Sequence, residues 1–79
     1  MENFTCYIDP YSTKQMIRNN FSNEEYWVPF DELPVYMHGL CEKTGYKKIF
    51  IEGSYFESLE LIYKFKTMYQ NSNIVLEAI

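Results

Sequence analysis

"KKIFIEGSYFESLELIYKFKTMYQNSNIVLEAI", Lys47 to Ile79, is the stretch on which the fold turns. Its opening "KKIFIEG" is a short apolar run that suits a buried strand. Ser54 follows, with Glu57 three residues on, which is the spacing of a capping box at a helix start. Leu61, Ile62, Phe65, Met68 and Tyr69 then form one helical stripe. Glu57, Glu60, Lys64 and Thr67 form the polar side, and Glu60 stands where it can pair with Lys64. "NSN" ends the helix, and "IVLEAI" reads as a closing strand. Strand, helix and strand in this order predict a right-handed parallel crossover.

Upstream, "DELPVYMHGLCEKTGY" (31–46) predicts a first helix. Asp31 is placed to cap it, and Pro34 is tolerated only in its first turn. Leu33, Met37, Leu40, Cys41 and Thr44 share a face, and Gly45 suits a left-handed terminating residue. Three strands precede this helix. "FTCYID" (4–9) alternates Phe4, Cys6 and Ile8 against Thr5 and Tyr7. "DPYS" (9–12) carries turn chemistry. "TKQMIRNNF" (13–21) is a partly solvated second strand, and "NNFSNEE" holds a loop. "EYWVPF" (25–30) puts Tyr26, Val28 and Phe30 on one face, and Pro29 assigns it to a sheet edge. The predicted order is βββαβαβ: an α/β (α+β) chain, a single domain over 1–79. Its five-stranded mixed sheet has the order 3-2-1-4-5, with two helices on one face or on opposite faces.

Length and composition agree with one small domain. At 9.5 kDa, surface scaling gives a folded area of about 5,000 Å² and burial of roughly 63% of the unfolded surface. The sequence is 47% hydrophobic and 19% aromatic, with eight tyrosines and six phenylalanines, more aromatic surface than so small a core can enclose. Some tyrosines must therefore face outward, where Tyr serves well in contacts. The net charge of −4 argues against direct nucleic-acid binding and is compatible with a basic protein partner. Cys6 and Cys41 form no zinc pattern and read as reduced core thiols. The N-terminal "MENFTCYID" has no basic and apolar leader pattern, and no apolar run reaches membrane-spanning length, so the chain is expected in the cytoplasm.

"IDPYS" before a hairpin resembles the opening strand of RNase H-like nucleases, the RuvC group especially, where an Asp-Pro-Gly-Ser turn follows an apolar strand. "DELP", a helix and "IFIEGS" are similar to the next section of that family. The resemblance implies an RNase H-like sheet and, position by position, makes Asp9 and Glu52 the first two metal-binding carboxylates. Neighbouring first and fourth strands would set these two about 5 Å apart across the ladder. Tyr11 stands where the family has Gly. The family's remaining acidic residues come from a C-terminal helix with no counterpart after "IVLEAI". The residues themselves favour a simpler reading, with Asp9 as a turn residue and Glu52 as a solvated strand end.

Other chemistry is sparse. "EGS" is a strand-to-helix junction with one glycine, far short of a phosphate loop. His38 and Cys41 sit three apart on the first helix, a spacing open to a base and a thiol nucleophile, though a core thiol beside an imidazole is commoner. The expectation is therefore a non-enzymatic interaction protein without cofactors. In size and acidity it is similar to small accessory proteins of phages and mobile elements, some of which inhibit host defence systems, anti-CRISPR proteins among them. The partner expected is a basic, nucleic-acid-binding protein such as a defence nuclease. The candidate contacts are Glu24, Glu25, Tyr26 and Trp27 at the third strand, and Glu57 and Glu60 on the second helix. The alternatives are a minimal or inactive RNase H-like nuclease using Asp9 and Glu52, and a homodimer binding a small molecule at the strand ends.

Overall fold

Alternating apolar residues bury one side of the first strand, and everything else is built against it. In the computed structural model, which describes residues 1–79, β1 (Phe4–Ile8) inserts Phe4, Cys6 and Ile8 into the core. β2 (Lys14–Asn19) pairs antiparallel with β1, and β3 (Glu25–Pro29) antiparallel with β2. On the other flank β4 (Lys48–Gly53) pairs parallel with β1, and β5 (Val75–Ala78) parallel with β4. The five-stranded sheet therefore has the order β3-β2-β1-β4-β5, as the hydrophobic periods predict. Pro29 ends the edge strand, where its missing N–H leaves no gap in the ladder.

Both helices lie on one face. Leu33, Met37, Leu40 and Cys41 of α1 (Leu33–Thr44) and Leu61 and Phe65 of α2 (Tyr55–Met68) join the strand residues in one buried cluster. The sequence pattern leaves this choice open, and connection geometry decides it. The crossovers from β1 to β4 and from β4 to β5 advance in the same direction across the sheet. A shared right hand lays both helices on the same side.

The helix ends differ from the expected caps. Phe30 to Glu32 form a 3₁₀ turn, so Phe30 leaves the strand and Asp31 lies before the helix rather than capping it. Pro34 does fall in the first turn of α1, and Gly45 takes the left-handed conformation (φ 81°) at its end. Ser54 makes no side-chain cap, so the expected capping box with Glu57 is not formed. The Ser54 N–H instead donates to the Ile8 carbonyl at 3.1 Å. Gly53, at φ 116°, brings β4 so close to β1 that a Cβ would sit 2.2 Å from that same carbonyl oxygen. The β1 end, the β4 end and the α2 start are thus one tight junction. Thr44 and Met68, expected inside, are exposed, because each lies in the last turn of its helix beyond the sheet.

Burial governs the two thiols. Cys6 is pushed up to about 12 and Cys41 to about 11, in both cases chiefly by loss of solvent. Both are free. No helix is long and apolar enough to cross a membrane.

Candidate functional site

The Asp-Pro turn is the first place to look for chemistry. The Asp9 carboxylate is spent on its own loop: one oxygen accepts from the Tyr11 N–H at 3.0 Å and the other from the Ser12 hydroxyl at 3.0 Å. The buried Gln15 side chain clamps the same turn. It accepts from the Asp9 N–H at 2.6 Å and donates to the carbonyls of Asp9 and Ser12. Glu52 is exposed and pairs in register with Tyr7, while Ile8 pairs with Gly53. Asp9 therefore lies two positions beyond Glu52 along the ladder, roughly 7 Å further on at strand rise. It is not directly opposite Glu52, as the resemblance required. No group of three or more His, Cys, Asp or Glu side chains is placed to hold an ion.

The edge strand splits the expected contact residues between two faces. Val28 points to the core, so Tyr26 lies on the helix-covered side while Glu25 and Trp27 lie on the open side. Tyr26 packs beside the core and its ring meets Tyr36 of α1 at 5.9 Å. Its hydroxyl donates to Glu24 at 3.2 Å, and burial followed by the Glu24 carboxylate pushes the phenol up. Tyr26, Val35, Tyr36, Gly39, Leu40 and Lys43 line a groove of about 390 Å³ between β3 and α1. Gly39 leaves room in it, since a Cβ there would meet nothing within 4 Å. Lys43 is part of its lining, and Glu24 borders it through the Tyr26 hydroxyl. Val35, Tyr36, Gly39 and Lys43 were legible as a second side of α1 at spacings of three and four. The apolar inner stripe masks that signal.

The open face of the sheet is tied together by its own side chains. Arg18 donates to the Tyr7 hydroxyl and lies 5.1 Å from the centre of that ring. Asn20 donates to Asn3 at 2.7 Å and to Thr5 at 2.8 Å. Lys48 pairs with Glu77 at 2.5 Å and sits over the Phe50 ring. On the helix side, Glu60 pairs with Lys64 at 3.0 Å, as the i, i+4 spacing predicts, and this bond raises the lysine. Lys64 also reaches Asp31 at 3.9 Å. Glu57 is half-buried in the first turn.

His38 does not pair with the Cys41 thiol. Its ring stacks on Tyr69 at 3.9 Å with the planes 6° apart. His38, Glu42, Tyr69, Gln70 and Asn71 border an open, largely polar groove of about 560 Å³ at the C-terminal ends of the two helices. No protein family, curated protein or solved structure matches this chain.

Proposed function

We propose that this chain is a small non-catalytic interaction protein that docks a protein partner with a basic surface through the groove between β3 and α1. The observation that carries the reading is the Tyr26–Tyr36 pair, an exposed aromatic groove with the Glu24 carboxylate at its rim. Glu32 adds a second acid, three and four positions before Val35 and Tyr36 on α1. Aromatic anchors in a groove with a charged border are the ordinary build of a protein-binding surface. The net charge of −4 favours encounter with a basic partner. A nucleic-acid-binding protein such as a defence nuclease has that surface, and a small phage or mobile-element inhibitor would occupy it in place of the nucleic acid. The free thiols, Cys6 and Cys41, suit the reducing cytoplasm.

The test is binding to the partner recovered by co-purification from a host extract. Tyr36→Ala is expected to speed dissociation, with a loss of at least about 2 kcal/mol if it anchors the interface. Glu24→Lys with Glu32→Lys is expected to slow association and flatten its salt dependence. Lys43→Glu, in the lining of the groove, is expected to speed association. Binding indifferent to all three variants refutes the groove as the contact surface.

A further inference from the structure

β3 is the edge strand beside the groove, and its outer side is unpaired. The Asn19 N–H donates to the Glu24 carbonyl at 2.9 Å, and the ladder alternates from there. Tyr26 and Val28 therefore turn their backbone groups to β2, while Glu25, Trp27 and Pro29 turn theirs outward. Pro29 has no N–H, so the free donors are those of Glu25 and Trp27. The side chains of these two residues stand together on the open face. Trp27 is 60% exposed, with no cation over its ring. Arg18, across the ladder from Glu25, is turned to Tyr7 and Asn20, and Glu25 forms no ion pair.

We propose, and this rests on the groove between β3 and α1 being the docking site, that the partner supplies an extended segment pairing antiparallel with β3 as a further strand of the sheet. Its side chains then divide between the two faces as those of β3 do. A residue directly opposite Glu25 or Trp27 stands on the open side, about 5 Å away between Cβ atoms. An arginine there reaches the free Glu25 carboxylate and stacks on the Trp27 ring. The residues between point to the helix-covered side, into the groove of Tyr26, Val35 and Tyr36, where Gly39 leaves room. Lys43 lines that side and disfavours a base in it. The segment that fits is arginine and apolar residue in alternation.

Antiparallel pairing is stronger per residue than parallel, and it continues the β2–β3 pattern. A second copy of this chain fits the same edge less well. Its β3 would present Glu25, Trp27 and Pro29, with no base for Glu25 and one backbone donor missing. Glu24 and Glu25 make the start of the edge acidic, which holds two copies apart and draws a basic strand.

The probe is an end-blocked peptide of alternating arginine and valine, added to the 79-residue chain. Amide hydrogen exchange read by NMR is expected to slow at Glu25 and Trp27 by at least about tenfold on binding, while Tyr26 and Val28, already in the ladder, change little. Methylating the arginine amides of the peptide removes its bonds to β3 and is expected to weaken binding at least about tenfold. Methylating the valine amides, which face solvent on the new edge, is expected to leave affinity within about twofold. Binding that Tyr36→Ala weakens but arginine-amide methylation does not, with Glu25 and Trp27 still exchanging freely, overturns strand addition and leaves the groove standing. Protection of both amides with no loss of affinity in Tyr36→Ala refutes the groove itself, and the proposal falls with it. A peptide that does not bind also overturns it. So does protection of the two amides without peptide that grows with protein concentration, since a second copy would then hold the edge.

Discussion

The open face of the sheet and the outer face of α2 both bring aromatic rings to the surface, and they treat them differently. On the sheet, Tyr7 lies under the Arg18 guanidinium and Phe50 under the Lys48 ammonium, and Arg18 and Lys48 are themselves hydrogen-bonded or paired. On α2, Phe56 meets only Tyr55 edge-on, and Tyr63 has no aromatic or cationic partner in the chain. Tyr7 and Phe50 are thus matched within the chain, whereas Trp27, exposed at the edge strand of the same face, is not. The second surface leaves large apolar area without a counterpart in the chain. Exposure alone does not distinguish the two. The polar groups around each ring do.

The largest expected effect separates the two sides of α2. Phe65 is buried under the helix, so Phe65→Ala is expected to cost roughly 3–5 kcal/mol in a urea melt. Tyr63→Ala, on the outer side, is expected to change the stability of dilute protein by less than about 0.5 kcal/mol. Equal losses would mean that the outer stripe is part of the fold, and the contrast with the open face would collapse.

Next comes the junction that holds α2 against the sheet. Gly53→Ala places a Cβ against the Ile8 carbonyl in a left-handed conformation and is expected to cost at least about 2 kcal/mol. Unchanged stability would show that β4 and β1 separate there without penalty. A smaller effect falls on the open face. Arg18→Ala removes the donor to Tyr7 and one partner of Asn20, and is expected to cost about 1 kcal/mol by thermal or urea unfolding. A loss near zero would mean that the polar layer on this face does not hold its rings, and the face would then be a second unmatched surface.

The smallest effect at neutral pH comes from the thiols beneath both regions. Their folded values, about 12 for Cys6 and about 11 for Cys41, lie above the ordinary value of 9.0. The unfolded chain therefore loses its thiol protons first. The stabilising contribution is fully present below pH 9 and is lost as pH rises toward 11 and 12. Urea melts are expected to show stability falling through that window, with a shallower fall in Cys6→Val. An identical slope in that variant would show that Cys6 is not the source.

Most of the fold was legible in the residues. Strict alternation in "FTCYI", the apolar "KIFI", Pro29 at an edge and Gly45 after a helix each act within a few residues, and backbone sterics and burial act at that range too. The Asp9 turn was legible for the same reason, since its carboxylate bonds residues two and three further on. The capping box does not form, because Ser54 matches a local pattern while its N–H is taken by Ile8, forty-six positions earlier in the chain. Whether the helices share a face, and whether Asp9 meets Glu52, also lay outside any local pattern. Handedness and strand register decide those, and both arise only when distant strands pair. The same holds for the candidate surfaces. The sequence by itself determined that there were too many tyrosines for the core and where each apolar stripe ran. Only the tertiary structure decided that Tyr26 turns toward Tyr36 while Trp27 turns away, and that Tyr7 and Phe50 on the open face meet cations while the rings on α2 do not. Each of those outcomes depends on groups brought together across the sheet, and a linear pattern carries no distance between them.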